Sequence, residues 1–299
     1  MRLAKSHRFL LLLSLLAASC ATLTPLPKPR NEVPALSAAG VARVVVIVLE
    51  NGDPREAERQ PFMRARAAEG TVFTSYFGVA HPSQPNYIAM ISGSTADATD
   101  NDPVTLDRPH IGNVLGDRWR VYADDYPALD GRCNLIVKKD LYVRRHVPFL
   151  SFADVQRGTC SQVVRLNTAE DPVRALRSDI EQNTLPAFAL IVPNLQHDGH
   201  APFTMKDAND WLAANIEPLL GVPAFTKDTV FVLTFDEDHT RNAHSNRVYT
   251  VIWGDHVRQG TNDDVYNHYD LLATIAALLG VTPPTFQEPG VRPIGGIWR

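Results

Sequence analysis

The sequence predicts an α/β fold, a three-layer α/β/α sandwich with a mostly parallel central sheet. Two observations carry this prediction. Near-continuous apolar runs rich in β-branched residues recur along the chain, and such runs are typical of strands that are buried on both faces. Amphipathic helical patterns alternate with these runs, which is the order of elements in an open α/β sandwich.

The strands and helices follow one another from residue 41 onwards. The run VARVVVIVLE predicts the first strand, and similar runs predict strands at 186–193, 229–238 and 247–254. Helical patterns lie at 171–183, 207–220 and 269–280. We expect one domain over 41–299, in which the irregular stretch 95–170 is an insertion or cap.

The first 40 residues read as an export and tethering segment. Residues 1–19 combine basic residues with an apolar run that is too short to span a bilayer, as in a bacterial signal peptide. Cys20 follows small residues and resembles a lipobox cysteine, which would be lipidated; plain secretory cleavage is the alternative. Residues 20–40, which are rich in proline, predict a lipid-anchored tether. We expect an exported protein anchored to the cell envelope, or a secreted one if Cys20 is not acylated.

Composition and charge exclude several classes of function. The 299 residues include 44% hydrophobic and 21% charged residues, as in an ordinary folded protein. The formal net charge is −4, and it is −7 (26 basic against 33 acidic residues) without residues 1–19. So acidic a chain offers no general nucleic-acid surface, and membrane attachment is expected through the lipid anchor. The remaining cysteines, Cys133 and Cys160, predict a disulfide in an oxidising compartment.

Polar residues follow three of the predicted strands where each strand ends. Glu50-Asn51 ends the first strand, Asp236-Glu237 ends a later one, and the strand at 186–193 runs into NLQHDGH. Ligands of open α/β sheets bind beyond the carboxyl ends of the strands, so we expect these side chains to converge. Because clustered carboxylates repel one another, their convergence predicts a bound cation.

The segment HPSQPNYIAMISG at 81–93 predicts a helix that begins near Ser83 and ends at Gly93. A helix N-terminus attracts anions and would favour the alkoxide of Ser83. A simple N-capping role for Ser83 is the alternative.

These motifs, in this order, resemble the phosphoesterase family of the alkaline phosphatase-like superfamily, which includes bacterial acid phosphatases and phospholipases C. The motifs are Glu50-Asn51, HPSQPNYIAMISG, PNLQHDGH, LTFDED and NHYDLLATIAALLGV, and they span roughly residues 43–282. The resemblance implies an alkaline phosphatase-like fold and a metal-dependent hydrolase of phosphoric esters. It also implies a serine nucleophile that is transiently phosphorylated.

The resemblance also implies roles for single residues. Ser83 matches the nucleophile, whereas Asp198, His200 and His268 match groups that contact phosphate, supply a second metal or protonate the leaving oxygen. Residues matching metal ligands are Glu50, Asn51, Asp236 and Glu237. The divalent ion would be Ca²⁺, Mg²⁺, Mn²⁺ or Zn²⁺. Of the other histidines, His81 could relay protons or pack behind the loop, and His146 reads as a surface or core residue.

We therefore predict an acid phosphatase-like phosphomonoesterase that acts on a small phosphorylated substrate. A phosphodiesterase of the phospholipase C type remains open, and so does a catalytically silent, ligand-binding surface lipoprotein. A sulfatase is disfavoured, because HPSQPNY lacks the arginine of the sulfatase motif. The leaving group, the metal and the oligomeric state are left open by the sequence.

Overall fold

A computed structural model describes residues 40–158, 160–240 and 246–299, which all belong to one compact unit. The strands in these ranges are β1 (Arg43–Leu49), β2 (Thr71–Phe73), β3 (Tyr76–Phe77), β4 (Trp119–Ala123), β5 (Lys138–Lys139), β6 (Tyr142–Val143), β7 (Val163–Arg165), β8 (Phe188–Val192), β9 (Thr229–Phe235), β10 (Thr250–Gly254), β11 (Gly260–Asn262) and β12 (Tyr266–Asn267). The α-helices are α1 (Pro54–Ala57), α2 (Pro61–Glu69), α3 (Ser83–Ser92), α4 (Ile111–Leu115), α5 (Ala153–Gly158), α6 (Arg174–Gln182), α7 (Met205–Asn215), α8 (Pro223–Thr226) and α9 (His268–Leu278).

The central sheet has eight strands in the order β11-β2-β10-β9-β1-β8-β4-β7. β1 lies in the middle and pairs in parallel with both β8 and β9, and β4 continues the parallel arrangement between β8 and β7. β10 alone runs antiparallel to its two neighbours, β9 and β2. The predicted α/β class and the mostly parallel sheet are confirmed.

Helices cover the sheet on both faces. Every residue of β1 from Val44 to Leu49 is buried, and successive side chains of a strand point to opposite faces. α3 packs along α9 over the face that carries Val46 and Leu190, whereas α2 packs against α7 and β10. The burial of β1 therefore explains the unbroken β-branched run in the sequence, because neither face meets water.

The stretch 95–170 is more than the insertion or cap that the sequence predicts. It contributes β4 and β7 to the central sheet, and both strands are too short to stand out as apolar runs. The part between them forms the β5–β6 hairpin and short 3₁₀ turns. Cys133 and Cys160 form the predicted disulfide across this part, with their Cα atoms 5.0 Å apart.

The predicted signal peptide, the tether and Cys20 lie outside the described residues. Within 40–158, 160–240 and 246–299, none of the helices is both long and apolar enough to cross a membrane.

Candidate active site

The ends of β1 and β9 bring four polar side chains together. Leu49 pairs with Phe235 in parallel register, so Glu50 and Asp236 leave the sheet side by side. Asn51 turns the chain with a positive φ of 33°, and its amide N–H donates to Asp236 Oδ1 over 3.0 Å. The Asn51 side-chain amide donates to Glu237 Oε1, also over 3.0 Å. The convergence that the strand ends predict is therefore present.

Ser83 is the first residue of α3, and its hydroxyl lies among these groups. Oγ is 3.1 Å from Glu50 Oε2, 3.1 Å from Glu237 Oε1 and 3.4 Å from Asn51 Oδ1. A hydroxyl carries one proton, so it can satisfy only one of these three acceptors at a time. Pro82 occupies the N-cap position, and the Ser83 side chain is thus directed into the acidic cluster rather than used to cap its helix.

Asp198 reaches the same place from the loop after β8. Its carbonyl oxygen accepts from the Glu50 amide over 2.8 Å, and its Oδ1 accepts from the His200 amide over 2.9 Å. His200 is half-buried and donates from Nδ1 to the carbonyl oxygen of Ala201. The loop therefore places one buried acid against Glu50 and a more accessible histidine two residues further on.

His268 does not have the role that the resemblance implies. Its ring is fully buried, Nε2 donates to the main-chain oxygen of Asp236 over 2.6 Å, and Nδ1 accepts from the Tyr76 hydroxyl over 3.3 Å. Both nitrogens are thus occupied by protein groups. Burial lowers the pKa of His268 to about 4, so the ring is neutral. A direct contact between His268 and phosphate is contradicted by this geometry; the residue positions Asp236.

Two residues without a predicted role lie in the site. A 3₁₀ turn, Arg144–His146, places the buried His146 ring with Nε2 3.1 Å from Glu50 Oε1 and Nδ1 3.8 Å from Asp198 Oδ2. The ring stacks on Tyr87 of α3 at 5.2 Å. The charge of Arg145 acts on both Glu50 and Asp198. The expectation that His146 is an ordinary surface or core residue is wrong, and no periodicity around it could have corrected that expectation.

His81 lies on the other side of the cluster. Its Nδ1 pairs with Glu237 Oε2, the oxygen that does not face Ser83. Of the two interpretations open for His81, the position beside an acid fits proton transfer better than packing behind the loop.

The carboxyl groups of the site carry raised pKa values. Burial, followed by the charge of Asp198, raises the pKa of Glu50 to about 8. Burial also raises the pKa of Asp198 to about 8 and that of Asp236 well above its usual range. The positive charge of Arg145 opposes the rise at Glu50 and Asp198. Acids held so close together in a water-excluded place favour a neutralising cation.

Three carboxylate oxygens support the same conclusion. Glu50 Oε1, Asp198 Oδ2 and Asp236 Oδ2 are buried and, among the described residues, accept no well-aligned hydrogen bond. His146 Nε2 lies 3.1 Å from Glu50 Oε1 but does not have the alignment of a hydrogen bond. Among the described residues, no group of three or more His, Cys, Asp or Glu side chains is already arranged to enclose a metal ion. The donor chemistry nevertheless fits a divalent cation, since buried carboxylate and amide oxygens are the ligands that hard cations take. An unpartnered buried carboxylate is costly without one.

Comparison with known proteins identifies the family of the chain. The model of the Phosphoesterase family matches residues 55–282. The chain belongs to the phosphoesterase family. The predicted resemblance is confirmed, and with it the enzyme class at the level of the family, hydrolases that act on phosphoric ester bonds. The match begins just after Glu50 and Asn51, so these two rest on the geometry above.

Two relatives illustrate the family. A phosphatidylinositol-3-phosphatase of Mycobacterium tuberculosis is 29% identical over 304 residues, which cover 99% of this chain and 96% of the relative. A phosphate-repressible acid phosphatase of Penicillium chrysogenum is 32% identical over 268 residues, covering 85% of this chain and 62% of the relative. The chain thus spans about three-fifths of the length of the fungal enzyme.

Solved structures agree on the fold. A protein of the alkaline phosphatase superfamily from Vibrio parahaemolyticus superposes with a TM-score of 0.57 at 13% identity, over 80% of this chain and 66% of that one. The lipoteichoic acid synthase LtaP of Listeria monocytogenes gives a TM-score of 0.53 at 14% identity, over 87% and 76% of the two chains. At such low identity these likenesses establish the architecture alone.

Proposed function

We propose that this member of the phosphoesterase family is a metal-dependent phosphomonoesterase in which Ser83 is the nucleophile. The observation that carries the proposal is the place of Ser83 Oγ, within 3.1 Å of carboxylate oxygens from both Glu50 and Glu237. This buried serine begins a ten-residue helix that has no side-chain cap hydrogen bond, and its hydroxyl lies among acids. It is the arrangement expected of an activated hydroxyl.

The residues that would hold the cation are Glu50, Asn51, Asp236 and Glu237. When bound, a divalent ion lowers the pKa of a neighbouring hydroxyl and withdraws charge from phosphoryl oxygens. Asn51 ties the two ends of this set together, since its main chain bonds Asp236 and its side chain bonds Glu237. Hydrogen bonds therefore link the residue after Glu50 to both acids at the end of β9.

The reaction of the protein groups would run in two steps. Ser83 Oγ forms a bond to phosphorus as the ester bond to the leaving oxygen breaks, and the hydroxyl proton passes to Glu237, whose other oxygen pairs with His81. His200, which is half-buried, gives a proton to the departing alkoxide. In the second step His200 takes a proton from water, the resulting hydroxide forms a bond to phosphorus as the bond from phosphorus to Ser83 Oγ breaks, and Glu237 returns its proton to Ser83 Oγ.

Arg145 and the start of α3 would hold the phosphoryl oxygens. Within the described residues no hydrogen bond from the Arg145 guanidinium to a protein group is found, and its buried Nε has no partner. A guanidinium is a natural partner for two oxygens of a phosphoryl group. The α3 dipole adds to this at its first turn, although the Gln84 amide is already taken by Asn101 Oδ1.

The proposed preference for monoesters rests on the relatives. Both relatives described above carry the names of phosphatases, which favours monoesters over a phospholipase C-type diesterase. The silent-lipoprotein alternative is disfavoured by the acids and Ser83, which are all present and brought together.

The test is hydrolysis of p-nitrophenyl phosphate and bis-p-nitrophenyl phosphate in parallel, each after chelation and after metal re-addition. The proposal is supported if the monoester is hydrolysed, if chelation abolishes this hydrolysis and if metal restores it. Unchanged turnover in chelator contradicts metal dependence. Faster turnover of the diester than of the monoester contradicts the preference for monoesters.

We further propose export and lipid anchoring through Cys20, with the membrane as a partner of the mature protein. The basic–apolar–small order of residues 1–19 supports this. Cys20→Ala should shift the protein from the detergent phase to the aqueous phase on detergent partition. Wild-type protein that is wholly aqueous would contradict the anchor.

A further inference from the structure

The segment 129–140, here called the apolar–basic loop, exposes several large apolar side chains. Leu129, Ile136 and Val137 are 49%, 41% and 49% exposed. In the described part of the chain only Val114 and Val265 are similarly exposed among large hydrophobic residues. Three of these five side chains therefore lie within nine residues of the sequence, whereas exposed apolar residues are usually scattered singly over a protein surface.

Basic side chains accompany these apolar ones. Lys138 and Lys139 are exposed and follow Val137 directly, and Arg132 is exposed between Leu129 and Ile136. Against Asp130 and Asp140 the loop has a charge of +1, in a chain whose net charge is −4. The methylene groups of a lysine side chain can lie along an apolar surface while its ammonium group reaches water or polar groups. A surface that combines lysine and apolar side chains therefore suits the boundary between an apolar and a polar phase.

A disulfide and two hydrogen bonds fix the middle of the apolar–basic loop. Cys133 is bonded to Cys160, and the Asn134 amide donates to the Tyr126 hydroxyl over 2.9 Å. The Asn134 side chain donates to the Pro127 carbonyl over 2.7 Å. These contacts fix the backbone around Cys133 and Asn134, so that less conformational entropy is lost when the loop is covered.

The apolar–basic loop is joined directly to the active site. The Arg144 amide donates to the Val137 carbonyl over 2.9 Å, and the Arg144 guanidinium donates to the Leu135 carbonyl over 3.2 Å. Arg144 is followed by Arg145 and His146, which face Glu50. The Leu195 amide also donates to the Leu141 carbonyl over 3.1 Å, next to the segment that carries Asp198. The loop therefore lies at the carboxyl edge of the sheet, the edge that holds the site.

We propose that the apolar–basic loop docks the protein on an anionic lipid surface and presents the site to phosphomonoesters of lipid headgroups. Three apolar side chains are too few for a stable protein interface, which buries about 800 Å² on each partner. A lipid surface demands no such area or shape match, and shallow insertion beside lysines is how peripheral proteins bind it. The docking rests on exposure and charge alone, whereas the substrate class rests on the proposed function.

The test uses the full chain in a Cys20→Ser background, so that no acyl chain contributes and residues 1–39 are the same in every variant. Variants are Ile136→Ser with Val137→Ser, and Lys138→Glu with Lys139→Glu. Val265→Ser is the control, because Val265 is 65% exposed and lies outside the loop. Binding is measured by co-sedimentation with phosphatidylcholine vesicles, with and without phosphatidylserine. Hydrolysis of phosphatidic acid in such vesicles is compared with that of p-nitrophenyl phosphate.

The serine pair should bind anionic vesicles roughly tenfold more weakly and hydrolyse vesicle-borne substrate correspondingly more slowly. The glutamate pair should lose binding only where phosphatidylserine is present, with the difference shrinking in high salt. Both pairs should hydrolyse p-nitrophenyl phosphate as the parent does. Unchanged vesicle binding in the serine pair, or an equal loss in Val265→Ser, overturns the docking. A change in self-association with vesicle binding intact assigns the loop to a second copy and also overturns it. A parent that hydrolyses neither substrate defeats the proposed function instead, whatever its vesicle binding.

Discussion

His268 Nε2 donates to the carbonyl oxygen of Asp236 over 2.6 Å, and this single bond ties the start of α9 to the turn that aims two acids of the site. The Tyr76 hydroxyl holds the other ring nitrogen. The histidine therefore reaches the site through the main chain of Asp236.

Replacing His268 should consequently affect turnover more than binding. In His268→Leu the Asp236 carbonyl loses its donor, and kcat should fall about 10- to 100-fold while KM and inhibition by inorganic phosphate stay near the parent values. His268→Gln, which keeps a donor, should recover part of the loss. The steady-state pH profile should keep its shape in both variants. A large rise in KM for His268→Leu would mean that the ring does touch phosphate.

Arg145 should behave in the opposite way. Arg145→Met removes a guanidinium proposed to hold phosphoryl oxygens, so the inhibition constant for inorganic phosphate should rise by about 10- to 100-fold. Arg145→Lys should recover part of this affinity, because charge returns without the planar pair of donors. Arg177→Met removes an equal charge far from the site, where Arg177 pairs with Asp171, and serves as the control. Equal phosphate inhibition in Arg145→Met and Arg177→Met would remove Arg145 from the substrate-binding groups.

The raised pKa of Glu50 predicts how the metal-free protein responds to pH. Glu50 has a pKa of about 8 in the fold and about 4.3 in an unfolded chain, so the folded state binds more protons between these values. The free energy of unfolding in chelator should therefore fall as pH rises from about 5 to 8, on the order of 3 kcal/mol. Glu50→Gln should reduce that slope, leaving the part that Asp198 and Asp236 contribute, and should raise the Tm at pH 8, whereas exposed Glu56→Gln should change neither. Calorimetry over this pH range measures the free energy of unfolding of each variant. Equal slopes of that free energy against pH in the parent and in Glu50→Gln would contradict the argument from burial.

The sequence predicts those parts of the site that follow from strand ends. The proximity of Glu50 and Asp236 could be predicted from the sequence, because neighbouring parallel strands have their carboxyl ends at the same edge of the sheet. Ser83 could be placed because a helix start has a local pattern of proline and glycine.

The remaining parts depend on long-range contacts without local pattern. His146 and Arg145 come from a 3₁₀ turn between short strands, and no periodicity marks that turn. His268 could be matched by position, but the direction of its ring is decided by Asp236 and Tyr76.

The central claim is that Ser83 carries the phosphoryl group. Ser83→Ala should reduce kcat roughly 10³-fold or more, because the covalent route is lost. Ser92→Ala, at the far end of the same helix, where Ser92 Oγ donates to the Ile88 carbonyl, should retain near-normal turnover.

The most direct measurement is mass spectrometry of peptides from the parent enzyme, quenched in acid during turnover of a phosphomonoester. Acid preserves phosphoserine, so phosphate should be found on the peptide that contains HPSQPNY, at Ser83, and should be missing from Ser83→Ala. Phosphate on any other residue, or an unlabelled parent beside a Ser83→Ala variant that still turns over, would contradict the account.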